Sequence, residues 1–389
     1  MSKCMAGKTG KIKPQQTPAS FVSPAHRVER AAGEFRRGVP VLIRAGRSDE
    51  SGVGLAAETL TDGTLRALTN LCGPGTLVLT HARATTLKIR LYTHQVVRIP
   101  LSGKEAAEEI RAIADPASDL DYPLKGPFEA SREVPPSAAA ASVELAKLAG
   151  LLPASVLFRI PEGAAPALQT AGISEVLAAD IAGFEQTMAD TLQLTVRASV
   201  PLEGAEHAEL AAFRPRDGGP EHYAIIIGDK GAPALSPPGP VLIRLHSECF
   251  TGDFLGSLKC DCGDQLRGAV QTIAKAGGGV LLYLAQEGRG IGLMNKLRAY
   301  RLQDEGFDTM EANQRLGFAD DERLYDAASR MLKLLGYSKV RLLTNNPDKV
   351  RALEAAGIEV VERVPHAFPD NVHNRDYLRV KAQKGGHLL

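Results

Sequence analysis

The strongest constraint on the fold is an alternation of short apolar runs and helix-like segments in the second half of the chain. Residues 280–284 and 340–344 have the length and composition of buried strands. Asn346 then supplies a helix N-cap, Pro347 fits the first helical position, and 358–362 returns as a strand. These last elements predict a βαβ unit with parallel strands. Ligands of such sheets bind beyond the carboxyl ends of the strands.

The rest of the chain carries the same alternation. A further strand is predicted at 241–245, and helical periodicity marks 265–276 and 293–303. In the first half, 40–43 and 76–80 read as short buried strands, and 142–149 has a helical pattern that stops at Gly150. These predictions are typical of an α/β fold of mixed α+β character.

The length of the chain predicts more than one domain. A chain of 389 residues exceeds one ordinary hydrophobic core and fits two domains of typical size. Pro- and Gly-rich stretches occur at 214–220 and 231–240, and we predict the junction between the two domains shortly before the first of them. We therefore predict a disordered basic tail over 1–25, a first domain over 26–198 and a second over 199–389.

Charge and hydropathy exclude several classes of partner. The formal net charge is +1, so the balance points neither to nucleic acid nor to a membrane surface. No apolar run reaches the roughly 18 residues that a membrane span needs, and the N-terminus lacks the apolar stretch of a secretory signal. We predict a cytoplasmic protein with no nucleic-acid and no membrane partner.

Cys249, Cys260 and Cys262 form a cluster with the spacing C-x10-C-x-C. The odd total of five cysteines argues against a disulfide framework, whereas thiolates bind zinc well. Three protein ligands would leave one tetrahedral position for a water whose pKa zinc lowers towards neutrality. Two alternatives stay open from the spacing alone, namely three buried structural cysteines, or a structural zinc with His246 as its fourth ligand.

Residues 286–292 form a glycine-rich turn between a predicted strand and a predicted helix. Glycines let the backbone approach a ligand closely, and Arg289 has the geometry to pair with phosphate oxygens at two points. The alternative is an ordinary connection from strand to helix.

Two further groups of polar residues are ambiguous by themselves. Asp321 and Arg323 stand at the start of a helix predicted over 321–335, where acidic residues also occur simply to complement the helix dipole. Thr344 and Lys349 flank a turn and could hold phosphate or a base edge, although a solvated surface lysine is the commoner situation.

Taken together in their order along the chain, these segments closely resemble GTP cyclohydrolase II. The resemblance covers about residues 200–389. The segments that carry it are 244–249, 251–253, 259–263, 286–289, 291–292, 295–296, 311–313, 316–318, 321–323 and 343–347.

The resemblance implies a reaction and its cofactors. GTP and water would yield formate, pyrophosphate and 2,5-diamino-6-ribosylamino-4(3H)-pyrimidinone 5′-phosphate, the first step of riboflavin biosynthesis. One Zn²⁺ per subunit would be held by Cys249, Cys260 and Cys262, and Mg²⁺ would accompany the triphosphate. The resemblance also implies a homodimer.

It further implies roles for individual residues. Asp321 is the acid/base group, Arg323 occupies the position assigned as nucleophile, and Tyr300 lies near the reacting ring. Because arginine stays protonated in proteins and is a poor nucleophile, an alternative role for Arg323 is to stabilise charge on the α-phosphate. The substrate-binding positions are Arg244, Leu245, His246, Ser247, Glu248, Gln265, Glu287, Gly288, Arg289, Thr309, Thr344 and Lys349.

The first domain more faintly resembles 3,4-dihydroxy-2-butanone 4-phosphate synthase, through 38–43, 56–60 and 143–150. That enzyme needs acidic residues to bind magnesium and move protons. Here the corresponding stretch at 47–53 has lost most of them, and 137–140 reads Ser-Ala-Ala-Ala. We predict that this domain is catalytically inactive. The alternatives are a bifunctional enzyme, or a regulatory protein that binds GTP without turnover.

Overall fold

The computed structural model describes residues 22–120, 125–228, 239–375 and 379. The predicted tail therefore lies largely outside the described residues, and its last residues, Pro24 and Ala25, already belong to the first helix. Within the described ranges the chain forms two β-sheets, each with its own helices, in agreement with the predicted α/β class.

The elements have the following bounds. The strands are β1 (Val41–Arg44), β2 (Gly52–Ala56), β3 (Thr76–Thr80), β4 (Val96–Pro100), β5 (Ala154–Phe158), β6 (Ser174–Leu177), β7 (Leu192–Ser199), β8 (Ala208–Pro215), β9 (His222–Gly228), β10 (Val241–Ser247), β11 (Gly278–Leu284), β12 (Lys339–Leu343) and β13 (Glu359–Val364). The helices are α1 (Pro24–Arg36), α2 (Asp62–Cys72), α3 (His81–Thr86), α4 (Ala107–Ala114), α5 (Ser137–Leu148), α6 (Ala165–Thr170), α7 (Ala178–Ala182), α8 (Phe184–Asp190), α9 (Cys262–Lys275), α10 (Gly292–Asp304), α11 (Thr309–Leu316), α12 (Asp326–Leu334) and α13 (Pro347–Ala355).

The first sheet has the strand order β4-β3-β5-β2-β1-β6 and is covered on both faces. On one face α1 and α5 pack through residues such as Phe35 and Leu145. On the other face α2 and α4 pack through residues such as Leu65 and Ile110. All five residues of the central strand β2 are buried, as expected for a strand with helices on both sides.

The second sheet has the order β13-β12-β10-β11-β9-β8-β7. Strands β10 to β13 pair in parallel, whereas β7, β8 and β9 pair antiparallel and join the sheet at β11. The chain leaves β10 through α9 towards β11 on one side, while β12 lies on the other side of β10. This reversal of strand order creates a crevice beyond the carboxyl ends of β10 and β12, which is where open α/β sheets bind ligands.

Strand β10 shows how the sequence divides between the two faces of this sheet. Ile243 and Leu245 join the core beneath α12 and α13. Leu242 faces α9 on the opposite side. Because side chains alternate along a strand, Arg244 and His246 lie on the same face as Leu242, and both are buried.

The sequence-based strands at 40–43, 76–80, 280–284, 340–344 and 358–362 are confirmed to within two residues. The predicted N-cap is also confirmed, since the Asn346 side chain accepts a hydrogen bond from the backbone N–H of Asp348. The strand over 241–245 and the helices over 142–149, 265–276 and 293–303 are present with somewhat longer bounds.

The prediction of a helix over 321–335 was wrong at its start, because α12 begins at Asp326 in the structure. Residues 319–325 instead form a loop. A hydrogen bond from the backbone N–H of Glu322 to the carbonyl of Arg289, at 3.0 Å, holds this loop in place. This long-range contact competes with helix formation and leaves no trace in local periodicity.

The predicted boundary at 198/199 falls inside β7, which already pairs with β8 as part of the second sheet. The last strand of the first sheet ends at Leu177. The Pro- and Gly-rich stretch at 214–220 marks the loop between β8 and β9 of the second sheet, so it lies later in the chain than the change of sheet. The other stretch, at 231–240, lies almost wholly outside the described residues.

The two domains contact each other through polar and apolar groups. Glu58 pairs with Arg298 at 2.6 Å, and the Thr80 hydroxyl donates to the carbonyl of Gly317 at 2.7 Å. Leu152 is buried in a cluster with Ile291 and Phe318, among other residues of the second domain. In the part of the chain that the structure describes, no helix has the length and apolar character needed to cross a bilayer.

Candidate active site

A cavity lies beyond the carboxyl ends of β10, β11 and β12, and it brings together most of the residues singled out from the sequence. The candidate residues that line it are Arg244, His246, Ser247, Glu248, Cys249, Cys260, Cys262, Gln265, Glu287, Gly288, Arg289, Tyr300, Thr309, Arg323, Thr344 and Lys349. Leu245 and Asp321 are not among the residues that line it.

The three cysteines converge on one wall of this cavity. Cys249 follows β10, and Cys260 and Cys262 stand at the start of α9. All three sulfurs lie within 4.8 Å of one another, and the Sγ atoms of Cys249 and Cys260 are 3.8 Å apart. A tetrahedral zinc with Zn–S bonds of about 2.3 Å places its sulfurs about 3.8 Å apart, so the thiols fit such an ion.

The backbone around Cys249 favours a thiolate. The N–H of Gly252 donates to Cys249 Sγ at 3.3 Å. The pKa of the Cys249 thiol lies well below its ordinary value because Cys260 and Cys262 hydrogen-bond to it, with a further contribution from Lys296. A Cβ at position 252 would approach the sulfurs of Cys249 and Cys260 to 3.0 Å or less, so the turn requires glycine.

The alternative in which His246 is a fourth metal ligand is not favoured by the geometry. Its Nε2 lies 3.0 Å from both carboxylate oxygens of Asp253, and among the described residues the group of potential ligands contains only the three cysteines. Burial lowers the pKa of His246, which favours the neutral ring.

Asp253 fixes the segment that carries the first cysteine. Its Oδ2 accepts hydrogen bonds from the backbone N–H of Cys249 and from the Tyr283 hydroxyl, both at 3.0 Å, and it also faces His246. The carboxylate thus joins two neighbouring strands to the turn that positions Cys249.

We expect Asp253→Asn to lower zinc affinity about 10- to 100-fold, because an outer carboxylate that orients a ligand contributes this much to a metal site. One amide oxygen cannot replace the two carboxylate oxygens that now receive these contacts. Competition with a chromophoric chelator measures the change. Asp190→Asn, at an exposed position on α8, is the matched control. Unchanged affinity in Asp253→Asn would contradict this role.

Lys296 is the residue of the site that sequence reasoning left without a role. Its Nζ lies 3.0 Å from Cys249 Sγ, 2.9 Å from the Thr251 hydroxyl and 2.9 Å from Glu287 Oε1. The ammonium group therefore links the cysteine wall to the glycine-rich turn. The Asn295-Lys296 segment of the resemblance was the available signal, but the position of Lys296 beside the cysteines depends on how α10 packs.

Arg244 lines the cavity and is only 5% exposed. Nη1 donates to the carbonyl of Leu343 at 2.9 Å, and Nη2 donates to Gln265 Oε1 at 2.5 Å. Arg244 Nε and His246 Nδ1 are buried and lack a hydrogen-bond partner among the described residues. Both residues line the cavity, and a buried polar atom without a protein partner is expected where a water or a polar ligand binds.

The glycine-rich turn has an unusual backbone. Gly288 and Arg289 both lie in the left-handed region, with φ of 63° and 60°. For a non-glycine residue such as Arg289 this conformation is uncommon and costs energy, and such residues cluster at functional sites. Glu287 anchors the turn, since its Oε2 accepts the backbone N–H of Phe250 at 2.6 Å.

Lys349 is a buried residue and not a solvated surface lysine. Only 5% of it is exposed, and its Nζ donates to the carbonyl of Leu245 at 2.7 Å. Leu245 therefore takes part through its backbone, while its side chain belongs to the core. Thr344 is 1% exposed, and its hydroxyl accepts the backbone N–H of Asn346 at 3.0 Å.

Asp321 and Arg323 form an ion pair at the edge of the cavity. Arg323 Nε donates to Asp321 Oδ1 at 2.8 Å, and Nη2 binds the other oxygen. Burial raises the pKa of Asp321, but the hydrogen bonds and charge of Arg323 outweigh it and hold that pKa below its ordinary value. Arg323 lines the cavity, whereas Asp321 does not, and its side chain is 37% exposed.

Tyr300 and Thr309 line the side of the cavity formed by α10 and α11. The ring of Tyr300 lies beneath the ammonium groups of Lys259 and Lys296, at 5.1 and 5.8 Å from its centroid. Burial raises the pKa of Tyr300 to about 12. Thr309 is the first residue of α11, and its hydroxyl accepts a hydrogen bond from Gln303 at 3.1 Å.

His366, which follows β13, also lines the cavity and gave no signal in the sequence. Its backbone carbonyl accepts a hydrogen bond from Asn345 Nδ2 at 2.8 Å, and its backbone N–H donates to Asn345 Oδ1 at 3.0 Å. Its ring Nε2 lies 2.9 Å from the carbonyl of Gln265. Next to it, Phe368 packs so closely on α9 that a Cβ at Gly268 would lie 2.1 Å from its ring. The segment after β13 thus closes one side of the site.

Comparisons with known proteins assign a family to the chain. The family model of GTP cyclohydrolase II matches residues 193–365. The chain is 48% identical over 367 residues to a GTP cyclohydrolase-2 of Azospirillum brasilense, covering 93% of this chain and 94% of that protein. It is 36% identical over 404 residues to a riboflavin biosynthesis protein RibBA of Bacillus cereus strain AH187, covering 94% and 99%.

A crystal structure of RibBX, a two-domain 3,4-dihydroxy-2-butanone 4-phosphate synthase from A. baumannii, aligns with 88% of this chain and 100% of its own, at 20% identity and a TM-score of 0.35. The full-length sequence relatives decide the assignment, because the match to Azospirillum brasilense spans both domains. The chain belongs to the GTP cyclohydrolase II family.

Proposed function

We propose that this chain hydrolyses GTP in the cavity beyond β10, β11 and β12, with a zinc ion held by Cys249, Cys260 and Cys262. The observation that carries the proposal is the convergence of three thiols on a cavity lined by buried cationic side chains, with two of the sulfurs 3.8 Å apart as in a tetrahedral zinc site. When bound, zinc would supply a Lewis acid that lowers the pKa of a water towards neutrality.

The residues of the chain would bind and orient the nucleotide. Arg244 and His246 offer buried polar atoms without partners, and Arg289 and Lys349 bring positive charge to the same cavity. Guanidinium and ammonium groups in a partly dry site bind phosphate oxygens more strongly than in water. Tyr300 would lie against the guanine ring.

Asp321 would act as the acid/base group during ring opening and formate release. In the structure both of its carboxylate oxygens are engaged by Arg323. A triphosphate that binds Arg323 would compete for this guanidinium and free the carboxylate. We assign to Arg323 the stabilisation of charge on the α-phosphate, because a protonated guanidinium is a poor nucleophile.

The direct test is incubation of zinc-loaded protein with GTP and Mg²⁺, followed by mass spectrometry of the products. We expect formate, pyrophosphate and the diaminopyrimidinone phosphate. A folded, zinc-loaded sample that binds GTP and releases neither formate nor pyrophosphate would contradict the proposal and indicate a regulatory GTP-binding protein.

We further propose that the first domain has lost synthase activity. Residues 138–140 are alanines, which cannot bind a metal or transfer a proton. Glu50, a remaining carboxylate of the corresponding stretch, accepts the backbone N–H and the hydroxyl of Ser137 at 2.6 and 2.9 Å. This carboxylate therefore caps the start of α5.

We expect no 3,4-dihydroxy-2-butanone 4-phosphate when the protein is supplied with ribulose 5-phosphate and Mg²⁺, because a carboxylate site without its carboxylates cannot hold the metal. Mass spectrometry of the mixture measures this. Formate release from GTP by the same sample is the control for folded protein. Appearance of the four-carbon phosphate would establish a bifunctional enzyme instead.

The remaining properties implied by the resemblance stay predictions. Mg²⁺ would accompany the triphosphate and offset its charge as pyrophosphate leaves. A homodimer is predicted, and sedimentation of the purified protein measures the oligomeric state. A cytoplasmic location and the lack of nucleic-acid and membrane partners are predicted from the composition alone.

A further inference from the structure

The loop that carries Asp321 and Arg323 is held from both sides by groups outside the loop. On one side the backbone N–H of Glu322 donates to the carbonyl of Arg289 at 3.0 Å. The approach is so close that a Cβ at Gly290 would lie 2.9 Å from the carbonyl carbon and oxygen of Glu322. This contact ties the loop to the glycine-rich turn of its own domain.

On the other side the loop is held by the first domain. Lys147 of α5 places its Nζ 3.0 and 3.1 Å from the two carboxylate oxygens of Glu322. Both side chains are about one-fifth exposed, so water screens the pair less than it screens a surface pair. Glu322 Oε1 also accepts the backbone N–H of Ala319, which fixes the fold of the loop itself.

The helix that carries Lys147 is a rigid support. Leu145 and Ala146, which precede Lys147, are fully buried in the core of the first domain. Just after Lys147, the carbonyl of Gly150 accepts a hydrogen bond from Asn295 of α10 at 3.3 Å. The end of α5 therefore contacts both the Asp321 loop and the helix that carries Lys296 and Tyr300.

The charges around Lys147 make this contact specific. Besides Glu322, the carboxylates of Glu144, Glu185 and Asp326 lie close enough to influence one another electrostatically. Without the lysine, Glu322 would face these carboxylates and be repelled from α5. Because Glu322 stands between Asp321 and Arg323 in sequence, any displacement of it moves both neighbours.

We propose that Lys147, and through it the first domain, is a positioning element for hydrolysis of GTP by the second domain. This inference rests on the proposed function of the cavity. It gives a structural role to the first domain, which we propose has lost its synthase activity. The end of α5 holds the Asp321–Arg323 loop in the geometry that hydrolysis of GTP needs.

The test compares Lys147→Met with Lys147→Arg in the full-length, zinc-loaded protein. We expect Lys147→Met to lower kcat about 10- to 100-fold, because small misplacements of reacting groups cost up to about 100-fold in rate. KM for GTP should change less than about threefold and zinc content should stay at one per chain, since neither the metal ligands nor most of the cavity lining is touched. Lys147→Arg should recover most of kcat.

Glu58→Gln is the matched control. It removes another ion pair between the same domains, that of Glu58 with Arg298, at similar exposure. It should lower the melting temperature as much as Lys147→Met while leaving kcat near the wild-type value. Glu322→Gln should lower kcat as Lys147→Met does. Combining the two substitutions should cost no more than Lys147→Met alone, because both break the pair between Lys147 and Glu322.

Wild-type kcat in Lys147→Met, or an equal loss of kcat in Glu58→Gln, would overturn the inference. The inference would also be overturned if Lys147→Met and Glu322→Gln each lowered kcat and their effects multiplied in the double variant. If the wild-type protein itself released no formate, the proposed function would fail instead, so the two failures are distinguishable.

Discussion

Replacement of Cys260 by serine should abolish formate release from GTP and remove bound zinc. Serine keeps the size of the side chain but supplies a neutral hydroxyl in place of a thiolate, which zinc binds poorly. Cys260 is 9% exposed, and its sulfur lies 3.8 Å from that of Cys249, so its replacement removes one of the three thiolates that would hold the ion. Zinc is expected to fall from one equivalent to near zero.

The expected loss of turnover is at least about 1000-fold, because a water without a bound metal has a pKa near 15.7 and supplies little hydroxide at pH 7. Metal analysis and formate assay of the same preparation measure both effects. Cys72→Ser, at a partly buried free cysteine of the first domain, is the control and should keep both zinc and activity. Full activity in metal-free Cys260→Ser would disprove the role of zinc.

Asp321→Asn should lower kcat by about 100- to 10,000-fold, which is the range that a general acid or base contributes. Zinc content should not change, because Asp321 does not belong to the cysteine group. The amide keeps an oxygen that can accept from Arg323, so the loop should retain its fold while losing the group that exchanges protons. Single-turnover measurement of formate release and zinc analysis test this prediction.

The matched control for this variant is Asp320→Asn. The adjacent carboxylate accepts a hydrogen bond from Gln314 at 3.3 Å, and Arg289 donates to the backbone carbonyl of Asp320 at 3.3 Å. Its replacement should leave kcat within about threefold of the wild type, because this side chain does not line the cavity and substitutions that break no buried contact usually have small effects. Similar losses in both variants would mean that loop folding, and not proton transfer, explains the effect of Asp321→Asn.

The sequence was informative where function depends on local pattern. Strand β12, the cap at Asn346 and α13 follow from apolar runs and helix-start signals, and together they place Thr344 and Lys349 at a strand end. The cysteine spacing was enough to suggest a metal, because three thiols lie within fourteen residues. In the structure Cys262 begins α9, and Cys260 lies two residues before it.

Other features depend on contacts between distant parts of the chain and could not be predicted. Asp321 was placed on a helix because residues 321–335 have helical periodicity, yet the carbonyl of Arg289 and the side chain of Lys147 hold Glu322 in a loop. Strand β7 was missed because six of its eight residues are exposed, so the strand lacks the alternation of a half-buried edge. The buried environment of Lys349 was likewise invisible, since it depends on the carbonyl of Leu245.

His366 and Phe368 belong to no strand or helix, yet His366 lines the nucleotide cavity, and Phe368 packs against its ring and against α9. Formation of the second sheet and completion of the pocket are therefore separable events. A protein shortened just beyond β13 would retain each strand of that sheet and the three thiols, but Arg244 and Gln265 would open to solvent on that side. We expect such a truncation to lower the affinity for the guanine nucleotide more than it lowers the thermal stability.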